Sequence, residues 1–187
     1  ISKVVPDFVF HLAGDSSNLG QPVNKYSLNI IGTENILKVL VELNLSLKKI
    51  IISSSAAVYG NVNNICSESD LPEPITHYGI SKLGVEKISS NFFDKLPIII
   101  TRPFNYTGLG QNEDFLIPKI IKHFKNKYNS IELGNLEVYR EFNSLEFVID
   151  CYLKLMECKK RSVIVNICSG KTYSVKQIVC LVEKITN

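Results

Sequence analysis

The sequence lacks an apolar run long enough to cross a membrane, lacks a C-x-x-C pair and has no run of basic residues longer than Lys159-Lys160-Arg161. A membrane-spanning helix needs about 20 consecutive apolar residues, so we expect no membrane protein, and no signal peptide opens the chain. Five cysteines without disulfide-type spacing favour a reducing, cytoplasmic compartment. His11, His77 and His123 show no ligand spacing with each other or with the cysteines, so no metal site is predicted.

The charge pattern argues against a nucleic-acid-binding protein. The net charge is +3 and the lysines are scattered. The pair Lys48-Lys49 falls where a solvated loop is expected. With 187 residues, 45% of them hydrophobic, the chain suits one globular domain with at most a small annex. It begins with Ile1 and reaches a buried-type strand almost at once, so we expect a piece of a longer protein.

Local patterns predict an α/β fold. Short apolar runs that end in small or hydroxyl-bearing residues are typical of buried parallel strands, and they occur at 7–13, 49–55, 96–101 and 163–167. Helical periodicity predicts five helices. The first covers 22–43, the second runs from the Tyr78 region to about 94, and the third covers 115–128 with an interruption at Pro118. The fourth runs from a cap at Asn143 or Ser144 to 158, and the fifth covers 174–185. Extended segments are expected at 130–133 and 137–142. Gly32, inside the first helix, suggests close packing against a neighbour. The order β–α–β–loop–α–β implies a doubly wound parallel sheet with helices on both faces.

Tyr78 and Lys82 lie four residues apart on a predicted helix, and therefore on one face. A phenol titrates near ~10, but a nearby ammonium favours the phenolate, so the pair can exchange a proton with an alcohol or carbonyl oxygen. Many helices carry such a pair without any chemistry, and this spacing alone does not decide between the two interpretations.

Strand ends supply further candidate residues. Small residues after the first strand, Ala13 and Gly14, would let a ligand approach the backbone. Serines 53–55 end the second strand, where hydroxyls can bond a substrate oxygen. The irregular stretch from Arg102 to Gln111 includes Asn105 and suits a shaped binding loop.

Four segments, in order, resemble the extended short-chain dehydrogenase/reductase superfamily, the NAD-dependent epimerase/dehydratase group that acts on nucleotide sugars. They are Asp7-x-Val-x-His-Leu-Ala13, Asn29-x-x-Gly-Thr-x-Asn35, Ser53-Ser-Ser-x-x-Val-Tyr-Gly60, and Tyr78-x-x-x-Lys82 followed by Arg102-Pro-Phe-Asn105. The resemblance covers nearly the whole chain. It implies a Rossmann-like domain at 1–102 that lacks its first βαβ unit, and a smaller α/β substrate-binding part at 103–187, interleaved with the sheet.

The resemblance also implies roles, with NADP or NAD as cofactor, a nucleotide sugar as substrate and a homodimer as assembly. Tyr78 would be the acid/base, Lys82 would lower its pKa and hold the nicotinamide ribose, and Ser55 would bond the reacting carbonyl oxygen. Asn105 and Arg140 would contact the substrate phosphates, where a guanidinium matches a diphosphate in geometry and charge. The cofactor would be lined by Ala13, Asn29, Ser53, Tyr78, Lys82 and Pro103.

Ala56 and Ala57 argue against a dehydration reaction. Dehydratases of this group carry Asp-Glu directly after the catalytic Thr or Ser, as the acid and base that eliminate water, and alanines cannot carry those protons. The stretches 102–111, 134–137 and 165–174 resemble reductases of GDP-4-dehydro-6-deoxy-D-mannose, which make GDP-D-rhamnose. Tyr106 and Leu109 depart from that pattern, where His and Pro are usual. The resemblance therefore implies NAD(P)H-dependent reduction of a 4-keto-6-deoxy sugar nucleotide.

Two alternatives stay open. The first is a nucleotide-sugar 4-epimerase with tightly held NAD, which uses the same Ser55, Tyr78 and Lys82. The second is a truncated, non-catalytic fragment. No G-x-x-G-x-x-G occurs in the chain, so the phosphate-binding loop and the residue that selects NAD or NADP are absent from it. We expect this chain by itself to bind a dinucleotide poorly.

Overall fold

The computed structural model describes residues 3–16, 22–62 and 65–186. Its strands are β1 (Phe8–His11), β2 (Lys49–Ser53), β3 (Ile98–Pro103), β4 (Tyr106–Thr107), β5 (Tyr139–Glu141), β6 (Asn143–Ser144), β7 (Val163–Ile167) and β8 (Thr172–Ser174). Its helices are α1 (Pro22–Tyr26), α2 (Gly32–Glu42), α3 (His77–Ser90), α4 (Leu116–Lys125), α5 (Leu145–Glu157) and α6 (Val175–Thr186). A π turn (Ser27–Ile31) joins α1 to α2, and a 3₁₀ turn (Ala56–Tyr59) follows β2.

The main sheet is parallel, with strand order β1-β2-β3-β7. This confirms the predicted α/β class. Ile51 lies opposite Ile99, and Ser53 lies opposite Thr101. Because all four strands run the same way, their carboxyl ends meet at one edge of the sheet, where ligands bind in open α/β folds. Ser53 ends β2 at that edge.

The core lies between β2, β3 and the helices that cover them. Its buried side chains are Ile50, Ile52, Ile98, Ile100, Leu37, Leu40, Val85 and Leu96. Complete burial of one such isoleucine or leucine stabilises the fold by roughly 1.5–3 kcal/mol. The isoleucine-rich runs of β2 and β3 are therefore buried on both faces, as the uninterrupted apolar pattern predicts.

Lys49 is not on a solvated loop, so that expectation is wrong. It is the first residue of β2 and is buried. Its Nζ donates hydrogen bonds to the carbonyl oxygens of Cys158 and Lys160, at 2.7 and 2.5 Å. These carbonyls lie just beyond α5, where a cation stabilises the negative end of the helix dipole.

The described residues form two compact units. The first comprises residues 1–103 and 150–167 and holds the main sheet, and the second comprises residues 104–149 and 168–187. In the second unit α4 contacts α6, with Ile120 and Ile178 buried, and two small sheets form from β4 with β6 and from β5 with β8. The binding roles assigned to the two parts of the chain stay predictions.

Three local predictions fail for physical reasons. Pro118 does not interrupt a helix, because α4 begins at Leu116 and proline is tolerated in a first turn, whose N–H groups need no helical partner. Residues 130–133, all of them described, form no strand. Gly32 does not pack closely against a neighbouring element: apart from its chain neighbours and the backbone of its own helix, no atom of the described residues lies within 4 Å of where its Cβ would be.

Candidate functional site

The start of α3 is held tightly against the turn that follows β2. Thr76 caps the helix, its Oγ1 accepting a hydrogen bond of 3.0 Å from the Gly79 N–H. A Cβ at Gly79 would stand 2.5 Å from the carbonyl oxygen of Ala57, so only glycine permits this approach. The contact fixes Tyr78, one residue before the glycine, relative to the turn that begins after Ser55.

Lys82 is a buried cation beneath the Tyr78 ring. Its side chain packs so closely that the residue is only 5% exposed, and Nζ lies 5.8 Å from the ring centroid of Tyr78. Nζ donates a 2.7 Å hydrogen bond to the carbonyl oxygen of Ser53, which leaves further N–H donors for a ligand. Burial lowers the pKa of Lys82 to about 8. At neutral pH the group therefore stays mainly charged, yet it can release its proton more readily than a surface lysine.

Ser55 caps the turn that follows β2. Its Oγ accepts a hydrogen bond of 3.1 Å from the Ala57 N–H and so caps the 3₁₀ turn. The cap uses one of the two lone pairs of the oxygen, and the hydroxyl proton can still be donated to another acceptor, such as a substrate oxygen. The three residues predicted to act together, Ser55, Tyr78 and Lys82, thus lie on adjoining elements of the first unit.

Asn29 holds the loop after β1. It lies within the π turn and is 1% exposed. Its Oδ1 accepts from the Asp15 N–H at 2.8 Å, and its Nδ2 donates to the Asp15 carbonyl at 3.2 Å and to Ser81 Oγ at 2.9 Å. Ser81 Oγ in turn donates to the Tyr78 carbonyl at 2.8 Å. One side chain therefore links the end of β1 to the helix that carries Tyr78.

The π turn explains why Asn29 reaches this position. The Gly32 N–H bonds the carbonyl of Ser27, five residues earlier, which widens the helix locally. The Thr33 hydroxyl donates to the Asn29 carbonyl at 2.5 Å, and His11 Nε2 lies 2.9 Å from the same hydroxyl. Since that hydroxyl proton is already used, His11 Nε2 is the donor. Burial and the Lys82 charge lower the pKa of His11, which keeps the imidazole neutral.

The carboxyl end of β1 is open enough for a cofactor to approach. Ala13 is exposed, and a Cβ at Gly14 would stand 2.9 Å from Asn29 Oδ1 and 3.4 Å from Lys82 Nζ. The backbone at Ala13 and Gly14 therefore lies next to the buried ammonium of Lys82. This arrangement fits the NAD(P) that the resemblance implies. Ser53, whose carbonyl binds Lys82, borders the same edge.

Arg102 is not a group of the binding loop, contrary to the expectation from sequence. It is 2% exposed and forms a bidentate pair with Glu86, with Nε–Oε1 and Nη2–Oε2 distances of 2.8 and 2.7 Å. Its Nη1 donates to Tyr59 Oη at 2.8 Å. Burial opposes the charge, but the bonds to Glu86 and Tyr59 outweigh it and raise the pKa of Arg102. Sequence reasoning missed Glu86, whose only signal is its place one turn after Lys82.

The other predicted site residues fall at the end of β3 and in the second unit. Pro103 is the buried last residue of β3. Asn105 is exposed, and its carbonyl accepts from the Asn143 N–H at 2.9 Å. Arg140 is an exposed residue of β5. The roles of all three towards cofactor or substrate stay predictions.

The described residues contain neither a metal-binding cluster nor a membrane-spanning helix. Across residues 3–16, 22–62 and 65–186, no group of three or more His, Cys, Asp or Glu side chains is arranged to hold a metal ion. Within the same ranges, no helix has the length and apolar character needed to cross a membrane.

Comparison with known proteins places this geometry in context. Residues 1–185 match the protein family described as GDP-mannose 4,6 dehydratase. The chain is 38% identical over 191 residues to GDP-6-deoxy-D-talose 4-dehydrogenase of Aggregatibacter actinomycetemcomitans, with 100% of this chain and 64% of that protein covered. It is 28% identical over 194 residues to GDP-6-deoxy-D-mannose reductase of Pseudomonas aeruginosa, with 97% and 64% covered.

A solved structure agrees with the fold described above. The structure of RMD from Pseudomonas aeruginosa complexed with NADPH superposes with a TM-score of 0.92 at 28% identity, covering 98% of this chain and 66% of that one. The chain thus spans 64% of the length of the two curated relatives that it matches.

Proposed function

The chain belongs to the GDP-mannose 4,6-dehydratase family within the extended short-chain dehydrogenases/reductases, and from that premise we propose that the protein is an NAD(P)H-dependent reductase of a 4-keto-6-deoxy sugar nucleotide. The observation that carries the proposal is the arrangement of Lys82. Its buried ammonium lies under the Tyr78 ring and bonds the strand end that leads into Ser55. A buried cation beside a phenol and a hydroxyl donor suits proton transfer to a carbonyl oxygen.

Reduction suits this site better than dehydration, despite the family's description. The positions after Ser55 are Ala56 and Ala57, which form the first residues of the 3₁₀ turn and carry no titratable group. Elimination of water needs one group to remove a proton and another to protonate the leaving hydroxyl. Reduction needs one proton donor, and Tyr78 supplies it.

When bound at this site, NAD(P)H would be the source of the hydride that reduces the C4 carbon of the sugar. Tyr78 gives its phenolic proton to the C4 oxygen, so the carbonyl becomes an alcohol. Lys82 stabilises the phenolate that remains, and Ser55 donates a hydrogen bond to the oxygen while negative charge develops there. The further N–H donors of Lys82, with Asn29, Ser53, Ala13 and Pro103, would hold the cofactor.

The substrate assignment is GDP-4-dehydro-6-deoxy-D-mannose. Both curated relatives are named for GDP-linked 6-deoxy sugars, one as a 4-dehydrogenase and one as a reductase. Asn105 and Arg140 would bind the diphosphate, for which a guanidinium is suited by geometry. Addition of hydride to either face of C4 gives one of two epimers. The resemblance of residues 102–111, 134–137 and 165–174 supports the GDP-D-rhamnose type, which we assign. The 38% identity to the GDP-6-deoxy-D-talose 4-dehydrogenase supports the other epimer, which is the alternative product.

The test uses the complete gene product with NADPH and GDP-4-dehydro-6-deoxy-D-mannose. Mass spectrometry should show a product heavier by two hydrogens, with one NADPH consumed per product, and NMR should assign the C4 configuration. Product formation without net NADPH consumption would indicate an epimerase instead. The proposed homodimer and cytoplasmic location are tested separately by light scattering and by cell fractionation.

Tyr78→Phe gives the decisive variant. It removes only the phenolic oxygen, so we expect kcat to fall by about 10²–10⁴-fold while the sugar nucleotide still binds. Tyr128→Phe removes an exposed phenol of the second unit and serves as the matched control. Turnover close to wild type in Tyr78→Phe would refute the acid role.

A further inference from the structure

A buried polar network lies behind the proposed catalytic residues. Ser54 Oγ donates a 2.6 Å hydrogen bond to Glu86 Oε1, the same carboxylate that Arg102 holds in a bidentate pair. Ser54, Glu86 and Arg102 are at most 3% exposed. The carboxylate therefore cannot turn to solvent, and the Ser54 hydroxyl is bound to a fixed acceptor.

The network connects the strand end to the catalytic helix. Ser54 lies between Ser53, whose carbonyl accepts from Lys82, and Ser55, the proposed donor to the substrate. Glu86 follows Lys82 by one turn of α3. The bond from Ser54 to Glu86 therefore fixes the segment that carries Ser55 against the helix that carries the other two proposed catalytic residues.

Arg102 anchors the far side of the same segment. Its guanidinium lies 4.8 Å from the ring centroid of Tyr59 and donates to the phenol oxygen at 2.8 Å. Tyr59 ends the 3₁₀ turn that Ser55 caps, and its own hydroxyl donates to Asn166 Oδ1 at 2.8 Å. Both ends of the Ser55 segment are thus tied to one buried ion pair.

We propose that Glu86 is a positioning residue, whose carboxylate holds Ser54 so that Ser55 stands at the correct distance from Tyr78 and Lys82. This inference rests on the proposed function. Glu86 contacts neither substrate nor cofactor in this scheme and acts through the Ser54 hydroxyl. The Ser54 N–H also bonds the Thr101 carbonyl, at 2.7 Å, so the bond to Glu86 adds a second constraint on this segment. A displacement of about 1 Å between reacting groups can reduce turnover by about 10²-fold, so we expect loss of the bond to Glu86 to slow the reaction.

The informative variant is Ser54→Ala in the complete gene product. Changing Glu86 itself would leave a buried guanidinium without its carboxylate and can unfold the protein. Ser54→Ala removes only the connection, because Arg102 still binds both carboxylate oxygens. Ser89→Ala is the matched control. Ser89 is also a fully buried serine, and its hydroxyl bonds the Val85 carbonyl inside α3, at 2.7 Å, away from the proposed site.

The measurement is steady-state turnover of the sugar nucleotide, repeated with cofactor deuterated at the transferred position. For Ser54→Ala we expect kcat to fall by about ten-fold or more. The KM values for the sugar nucleotide and for the cofactor should stay within roughly two-fold of wild type. The isotope effect on kcat should be at least as large as in wild type. Ser89→Ala should keep kcat within roughly two-fold. A merely structural role for the network would lower the stability of Ser54→Ala without this selective loss of kcat.

The outcomes separate this inference from the proposed function. If Tyr78→Phe is inactive and Ser54→Ala keeps its kcat, the positioning role of Glu86 is wrong and the proposed function stands. Equal losses of kcat in Ser54→Ala and Ser89→Ala would also overturn it. If Tyr78→Phe retains turnover, the proposed function fails first.

Discussion

Raising the pH should stabilise the folded protein through Lys82. Burial lowers its pKa from 10.5 to about 8, whereas the same lysine in the unfolded chain keeps its usual value. Between these two pH values the unfolded state binds the proton and the folded state does not, so the free energy of unfolding increases with pH. Below the folded pKa both states are protonated, and the full cost of the buried charge, about 3 kcal/mol, is present.

The size of the effect follows from the same two pKa values. Between about pH 7 and about pH 9.5 the expected gain is about 2 kcal/mol. The folded lysine loses its proton in this range while the unfolded lysine stays mainly protonated, and the remaining gain comes only at higher pH. The assay is urea unfolding of the complete gene product, without cofactor, across this range. The quantity compared is the difference in unfolding free energy between wild type and Lys82→Met, so that titration of other groups cancels.

Lys38→Met changes an exposed lysine, whose ion pair with Glu34 is on the surface, and it should run parallel to wild type across the pH range. If Lys82→Met also runs parallel to wild type, the ammonium is not desolvated in the folded protein. The account of Lys82 as a buried, readily deprotonated cation would then be wrong.

Two stability comparisons test the packing around the site by urea unfolding. Glu86→Ala should lower the free energy of unfolding by about 3–5 kcal/mol, since it leaves Arg102 buried without its carboxylate. Glu34→Ala, at an exposed ion pair, should cost less than about 1 kcal/mol, and equal losses would contradict the argument. Gly79→Ala should cost about 1–3 kcal/mol, because its Cβ meets a main-chain carbonyl at 2.5 Å. Gly32→Ala should stabilise by about 0.5–1 kcal/mol, because its helical position has open space, and a loss there would refute the packing description.

The central sheet could be predicted because its strands are apolar throughout. The isoleucine runs of β2 and β3 indicate strands buried on both faces, and hydroxyl caps such as Ser144 mark where helices begin. Short strands were harder to recognise. β4, β6 and β8 have two or three residues each and are defined by their pairing partners, which lie far away in sequence.

The buried face of α3 could not be predicted from hydrophobicity. Its buried positions include Ser81, Lys82, Glu86 and Ser89, which a hydrophobic pattern assigns to solvent. These groups are buried because each has a partner, and for Glu86 the partner is Arg102, which is 16 residues away in sequence. Charge pairing across the fold depends on tertiary structure. The spacing to Tyr78 and the family resemblance therefore point to Lys82, but neither predicts that it is buried.

The five residues of the π turn also determine how the side chains before and after the turn are rotated about the helix axis relative to one another. Each residue of a regular helix advances by about 100°, so removal of one residue from Ser27–Ile31 would rotate everything before the turn by that angle relative to everything after it. Asn29 could then face Asp15 and Ser81 only if Leu37 and Leu40 left the core. A regular α-helix could therefore not direct Asn29 towards Asp15 and Ser81 and also direct Leu37 and Leu40 into the core. We expect the protein to tolerate deletion of one residue here far less than substitution at the exposed positions of the turn.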